Sequence, residues 1–107
     1  MIFNEVLRLY PSFPVLMRQT HEETKLREFN IPVGVIFTLR VWMLHRDPKI
    51  WGDDASEFRP ERFKNGISNA TTKEGQFGFS PFGYGARTCI GQNFTMVEAK
   101  LVLAMIL

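Results

Sequence analysis

The sequence predicts a mainly α-helical chain that carries a small β-sheet component. Apolar residues recur at helical spacing near both ends of the chain, around Val6 and around Val97. Between these segments, residues 30–44 are rich in β-branched and aromatic residues, which favour strands. At 107 residues, the chain holds one small domain at most.

The first predicted element is a helix close to the N-terminus. Val6 and Leu9 line one side of it, and Glu5 and Arg8 lie three positions apart on another side, where helical side chains meet. Prolines at positions 11 and 14 end this helix, since proline cannot continue the backbone hydrogen bonds. The middle of the chain follows, with strands predicted within residues 15–26 and 30–44.

The second half of the chain is predicted to be less regular until its end. The Asp-Pro pair at positions 47–48 indicates a turn or a helix boundary, residues 51–63 have no clean period, and residues 65–76 have the composition of a loop. After a glycine-rich turn, Phe94 and Leu101 share helical spacing with polar residues between them. We therefore expect an amphipathic helix with these apolar residues in the core.

Charge and composition exclude several classes of function. The 13 basic and 11 acidic residues are well mixed and give a net charge of +2, so the chain has no basic stripe that would indicate nucleic-acid binding. A single cysteine allows no internal disulfide. With only His21 and His45 beside it, this cysteine also makes a poor zinc site, because a closed structural site takes four ligands.

The two ends of the chain also bear on its nature. The N-terminus has no charged leader or signal-type apolar core, and the last apolar run, residues 101–107, is far shorter than the roughly 18 residues of a membrane span. The chain stops inside that run without a capping glycine or a polar tail. We therefore expect a truncated chain, with residues 1–107 forming a partial domain rather than a complete one.

The only cysteine, Cys89, lies in the segment FGYGARTCIG. The glycines permit unusual backbone conformations and leave room for a flat ligand, while Arg87 and the start of the following helix favour a thiolate over a thiol. A thiolate is a nucleophile or a metal ligand, and the sequence does not reveal a contact between Cys89 and a histidine base. The remaining option is a metal whose other ligands come from a cofactor, as in haem iron with an axial cysteine.

This segment resembles the haem-ligand loop of cytochromes P450, whose pattern is Phe-x-x-Gly-x-Arg-x-Cys-x-Gly. The matching residues are Phe82, Gly85, Arg87, Cys89 and Gly91. Two more motifs of the family occur in the expected order: Glu-x-x-Arg at residues 5–8, typical of helix K, and Pro-Glu-Arg-Phe at residues 60–63, typical of the meander region. The likeness runs from helix K into helix L and is strongest to plant members that oxidise hormones and terpenoids.

The resemblance implies a role for each matching residue. Cys89 would be the proximal thiolate ligand of haem iron, and Phe82 would shield its sulfur. Arg87, together with Arg18 at a position that many relatives use for the same purpose, would bind the haem propionates. The family's buried charge network, which supports the meander and the cysteine loop, would consist of Glu5, Arg8 and Arg62.

The resemblance also implies the activity and the partners of the complete protein. A full-length member is a monooxygenase that inserts one oxygen atom of O₂ into an apolar small molecule. Its electrons come from an NADPH-dependent flavoprotein reductase that docks on the face carrying the cysteine loop. It sits on the cytosolic face of the endoplasmic reticulum, held by an N-terminal anchor that this chain does not contain. The alternative interpretation is a catalytically inactive truncated product, or an interaction module without bound haem.

Overall fold

The computed structural model describes residues 1–71 and 77–107. In these parts of the chain, the helices are α1 (Ile2–Leu9), α2 (Val41–Leu44), α3 (Pro48–Trp51) and α4 (Gln92–Ile106). The strands are β1 (Val15–Gln19), β2 (Thr24–Leu26), β3 (Phe29–Ile31) and β4 (Ile36–Arg40). Short 3-10 turns cover Pro60–Phe63, Ile67–Asn69 and Gly85–Arg87. The predicted fold class, mainly helical with a small sheet component, is confirmed.

The strands form two small antiparallel sheets. In the first, β1 pairs with β4 so that Val15 faces Arg40 and Gln19 faces Ile36. In the second, β2 pairs with β3. Because side chains alternate along a strand, Leu16 and Arg18 of β1 point to the same face of the first sheet. This face borders the loop that carries Cys89.

The prediction of a strand through residue 44 was wrong for its last four residues. Residues 41–44 form α2, in which the backbone N–H of His45 donates to the carbonyl of Val41 at 2.9 Å. Local propensity favours a strand here, since the run contains Val41 and Trp42. Tertiary contacts override it, because Val41 is 4% exposed and the guanidinium of Arg8 binds the carbonyl at the end of the helix.

Residues 47–71 largely follow the sequence-based expectation. Asp47 caps the N-terminus of α3 by accepting a hydrogen bond from the backbone N–H of Lys49 at 2.9 Å, which confirms the predicted boundary. The segment after Trp51 consists of turns until the 3-10 turn at Pro60–Phe63. The predicted loop at residues 65–76 contains a further 3-10 turn at Ile67–Asn69, and its residues 72–76 lie outside the described residues.

A small aromatic core holds this irregular region together. Trp51, Ala55 and Phe63 are buried, and Phe79 packs against them. The rings of Phe63 and Phe79 have centroids 5.0 Å apart in a tilted arrangement, and Trp51 meets Phe79 edge-on at 6.2 Å. The core therefore ties α3 and the meander to the segment that leads into the cysteine loop.

Helix α4 has no buried residue. Phe94, Val97 and Leu101, which the sequence places in a core, are 72%, 66% and 60% exposed. The prediction of one apolar face fits only the first part of α4, since residues 101–106 are apolar at every position. A helix that is apolar all round is normally buried. No helix in the described parts of the chain combines the length and the apolar content needed to cross a membrane.

Candidate functional site

Cys89 lies on the wall of a cleft of about 380 Å³ that also contains two arginine side chains. The thiol is free and exposed. Arg87 lines this cleft from the same loop, and Arg18 lines it from β1. Leu16 and Phe82 contribute apolar wall. The structure therefore brings together four of the residues that the sequence assigns to one site, although Arg18 is distant from the others in sequence.

Backbone geometry shapes the loop around Cys89. The N–H of Cys89 donates to the carbonyl of Phe82, with 2.9 Å between nitrogen and oxygen. Gly83 and Gly85 have φ angles of 76° and 73°, a region that favours glycine because other residues clash there. A Cβ built on Gly91 would lie 3.8 Å from the sulfur of Cys89, so the thiol sits beside the residue that precedes α4.

The two arginines form a positively charged border to the cleft. Arg18 donates from Nη1 to the carbonyl of Met17 at 3.0 Å, and its side chain is otherwise open to solvent. Both Arg18 and Arg87 also line a neighbouring cleft of about 240 Å³, together with His21. Guanidinium groups bind carboxylates in a bidentate geometry, so this border suits a ligand with acidic groups at its edge.

Glu5 and Arg8 of α1 form a buried ion pair. Nε and Nη2 of Arg8 donate to the two carboxylate oxygens of Glu5 at 2.7 and 2.8 Å, and both side chains are fully buried. Nη1 donates to the carbonyls of His45 and Ala55, and Nη2 also donates to that of Glu57. All five N–H donors of the guanidinium are therefore satisfied.

Arg62 joins the same network from the meander. Its Nε lies 3.6 Å from Oε1 of Glu5, while Nη1 donates to the carbonyl of Trp51 at 3.0 Å. Nη2 lies 2.6 Å from a carboxylate oxygen of Asp54, which also pairs with Arg59. Glu5 thus contacts both Arg8 and Arg62, and Asp54 extends the network through Arg62.

The local charges decide the protonation of the two acidic groups. Burial raises the pKa of Glu5, but the hydrogen bonds from Arg8 and from the backbone N–H of Arg59, with the charges of Arg8 and Arg62, outweigh burial and lower the pKa below its ordinary value. The hydrogen bond from Arg62 lowers the pKa of Asp54 despite some desolvation. Both groups are therefore carboxylates at neutral pH.

His45 is a buried member of the network that sequence reasoning did not place there. Its side chain is fully buried, Nδ1 lies 3.1 Å from the carbonyl oxygen of Arg8, and Nε2 lies 3.0 Å from the backbone nitrogen of Ser80. The only sequence signal was its position beside the Asp-Pro helix boundary. Neither of its partners could be found from sequence, because both are backbone groups.

The chemistry of the residues around Cys89 fits a haem group. A thiolate is one of the axial ligands that haem iron takes in proteins, and the sulfur of Cys89 is exposed to the cleft. The guanidiniums of Arg18 and Arg87 suit two propionates. Leu16 and Phe82 offer apolar contact to a flat macrocycle, which is the usual lining of a cofactor site.

Comparison with known proteins agrees with this chemistry. The family model described as Cytochrome P450 matches residues 1–107. The chain is 54% identical over 107 residues to cytochrome P450 72A397 of Kalopanax septemlobus and 51% identical to cytochrome P450 72C1 of Arabidopsis thaliana. It is 53% identical over 108 residues to echinocystic acid 23-monooxygenase of Saponaria officinalis. Each match covers 100% of this chain and 20% of the relative.

The chain therefore belongs to the cytochrome P450 family, as its three ordered motifs indicate. It is similar to plant members in particular, which agrees with the likeness seen in its sequence. The chain spans about a fifth of the length of the curated relatives it matches.

Proposed function

We propose that these 107 residues are the proximal haem-binding segment of a longer haem-thiolate monooxygenase, here called the parent protein. The observation that carries this proposal is the cleft in which the exposed thiol of Cys89 shares a wall with the guanidiniums of Arg18 and Arg87. An isolated thiol would need no such partners. A haem whose iron is bound by this thiol also has two propionates, and the two guanidiniums can bind them.

In this proposal, Cys89 binds the iron as a thiolate, and Arg87 and Arg18 each bind a propionate. The haem supplies the activation of O₂, and the negative sulfur increases electron density at the iron. Phe82 packs beside the sulfur and limits its contact with water, which is one way in which a protein sets the properties of a metal site. Gly85 and Gly91 keep the loop and the space beside the sulfur free of side chains.

The network of Glu5, Arg8 and Arg62 stabilises the cysteine loop indirectly, through the segments that it contacts. Its two arginines donate to the backbone carbonyls of five residues between His45 and Glu57, so the network fixes the path of the chain through α2, α3 and the meander. The aromatic core around Trp51 and Phe79 then connects this frame to the loop. We propose that the network acts on haem binding only through this frame.

The reaction proposed for the parent protein is the insertion of one oxygen atom of O₂ into an apolar small molecule. Phe13 and Leu16 line the cleft of Cys89, which supports an apolar substrate near the haem. One relative is named as an echinocystic acid 23-monooxygenase, a reaction of this type. We further propose that an NADPH-dependent flavoprotein reductase docks on the face carrying Cys89, and that an anchor outside these residues holds the parent at the endoplasmic reticulum membrane.

The exposed apolar surface favours a partial domain over an independent module. The chain exposes 8390 Å², whereas a folded monomer of this size exposes about 6,100 Å². Its exposed apolar residues include several of α4 and strand residues such as Ile36 and Leu39. We infer that other segments of the parent protein cover this surface.

The proposal is tested by replacing Cys89 with serine in the parent protein. Serine is a harder and far less acidic donor, so Cys89→Ser should abolish the thiolate-type absorption band of the ferrous carbonyl complex. Thr88→Ser is the matched control, because it keeps the hydroxyl that donates to the carbonyl of Gly85 at 2.8 Å. A thiolate-type band in the Cys89→Ser variant would refute the assignment.

A further inference from the structure

We propose that His45 is a positioning residue for the haem ligand: its imidazole ties Ser80, two residues before the loop that carries Cys89, to the backbone of α1. This inference rests on the proposed function of Cys89 and assigns a role to a residue outside the motifs of the site. His45 touches neither the cleft nor the sulfur. It acts through the loop that carries Cys89.

The hydrogen bonds of the imidazole determine its tautomer. The backbone N–H of Ser80 can only donate, so Nε2 of His45, 3.0 Å away, must accept. In a neutral ring the proton then sits on Nδ1, which lies 3.1 Å from the carbonyl oxygen of Arg8 and donates to it. One ring thus satisfies two backbone groups of separate segments, and only the neutral form does both.

His45 and Arg8 of α1 each hydrogen-bond to the backbone of the other. The imidazole of His45 donates to the backbone carbonyl of Arg8, and the guanidinium of Arg8 donates to the backbone carbonyl of His45 at 2.7 Å. The ring itself is held by stacking on Phe79, with centroids 5.5 Å apart, and by the edge of Trp51 at 6.5 Å. Because His45 is fully buried, its ring has little freedom to release Ser80.

Backbone hydrogen bonds carry the position of Ser80 to Cys89. The carbonyl of Ser80 accepts from the N–H of Gly83 at 3.1 Å, closing a turn that includes Phe82. The carbonyl of Phe82 accepts from the N–H of Cys89 at 2.9 Å. Hydrogen bonds, joined through the backbone of Ser80 and through the Phe82–Gly83 peptide, therefore connect α1 and the imidazole to the backbone of Cys89. Losing the bond at Ser80 frees the start of the loop.

Three variants of the parent protein separate this role from simple packing. In His45→Gln, the side-chain oxygen reaches the place of Nε2 and retains the acceptor for Ser80. His45→Asn carries the same amide on a shorter side chain that does not reach Ser80. His45→Phe keeps a ring that stacks on Phe79 but has no hydrogen-bonding atom. The measured quantity is the equilibrium between the thiolate-type and the thiolate-lost form of the ferrous carbonyl complex during a urea titration.

We expect His45→Asn and His45→Phe to shift this equilibrium toward the thiolate-lost form by about 5- to 150-fold, the range for an unsatisfied buried donor. His45→Gln should lie closer to the wild type. A wild-type equilibrium in His45→Phe, or equal behaviour of the Gln and Asn variants, would overturn the proposal. A wild-type parent without any thiolate-type band would instead refute the function proposed for Cys89.

Amide hydrogen exchange gives a test that needs no variant. In the haem-loaded wild-type parent, the amide of Ser80 should exchange as slowly as the amides of the buried core, because its N–H is bound to a ring that is itself buried. Fast exchange at Ser80, with slow exchange at Cys89, would show that the imidazole does not hold the loop.

Discussion

At the residue scale, the proposed role of Arg87 depends on the planar shape of its guanidinium. Arg87 is exposed at the edge of the cleft, where it can bind a propionate with two parallel hydrogen bonds. Lysine keeps the charge but not this geometry. We therefore predict that Arg87→Lys in the parent protein accelerates haem loss, measured as transfer of haem to an excess of an apoprotein acceptor.

Faster haem loss should result only from changes to the arginines that border the cleft. Arg87→Ala should lose haem faster still, and Arg18→Ala should act in the same direction. Lys25→Ala provides the control, since Lys25 is an exposed cation of β2 that does not line the cleft. Equal rates of haem loss in wild type, Arg87→Ala and Lys25→Ala would exclude propionate binding by Arg87.

His45 gives the molecule a defined response to acid. Burial lowers the pKa of His45 to about 4, aided by the charges of Arg8 and Arg46, although hydrogen bonds to the carbonyls of Arg8 and Leu7 act in the opposite direction. The unfolded chain, with a pKa of 6.5, therefore binds a proton at a higher pH than the folded chain. The neutral ring stabilises the fold fully above pH 6.5, and this stabilisation declines as the pH falls toward about 4.

We predict a contribution of up to about 1.4 kcal/mol per pH unit to the free energy of unfolding within this window. The measurement is urea unfolding of the parent protein between these pH values, in wild type and in His45→Gln. Glutamine does not titrate, so the variant should have a shallower pH dependence. Parallel curves for the two proteins would mean that the imidazole is protonated equally in both states.

At the element scale, α1 and the meander depend on one buried carboxylate. Removing Glu5 leaves the buried charge of Arg8 without its counterion, at a cost of about 3 to 5 kcal/mol, whereas Arg62 keeps its ion pair with Asp54. Glu5→Ala in the parent protein should therefore lower the yield of haem-loaded protein rather than only slow turnover. The readout is haem content per mole of purified protein, together with the midpoint of urea unfolding.

Glu61→Ala is the matched control for this prediction. Glu61 is exposed in the 3-10 turn next to Arg62, so its loss removes an acidic charge from the same element without opening the buried network. It should leave haem content and stability close to wild type. If Glu5→Ala resembled Glu61→Ala, the pair of Glu5 and Arg8 would be no more than an ordinary surface pair on α1.

The elements differ in how far sequence determines them. Helix α1 was predictable because Pro11 and Pro14 end it, and the start of α3 was predictable from the Asp-Pro pair at positions 47–48. The helix at residues 41–44 was not predictable, because these residues favour a strand and include no turn residue. They become helical through tertiary contacts, such as the burial of Val41. The motif residues around Cys89 were found through the resemblance to the family, and their roles remain predictions. The backbone partners of Arg8 and His45 were not predictable, because any sequence supplies carbonyls and N–H groups.

At the scale of the whole molecule, the chain is more extended than a compact domain of its length. The radius of gyration is 15.9 Å, whereas a compact domain of 107 residues has about 13 Å. No residue of helix α4 is buried, despite its apolar sequence. The sequence shows which of its residues are apolar, and under the proposed function other segments of the parent protein would bury them.

We predict that the isolated 107 residues neither hold haem in a uniquely structured pocket nor oxidise a substrate. In the proposed site, the chain would provide one ligand and two propionate partners, and its many exposed apolar residues favour aggregation. The test adds haemin to the purified chain and follows absorbance and sedimentation, with product formation measured after addition of a reductase system. A soluble monomer with a sharp thiolate-type spectrum and measurable hydroxylation would contradict the prediction.

The central claim is a bond between the sulfur of Cys89 and haem iron in the parent protein. Resonance Raman spectroscopy of the ferric protein, grown with either natural or heavy-isotope sulfur, detects the iron–sulfur stretching vibration directly. We predict a band that shifts to lower frequency with the heavier isotope in wild type and in Thr88→Ser, and that is absent from Cys89→Ser. An isotope-sensitive band that persists in Cys89→Ser, or none in the wild type, would contradict the claim.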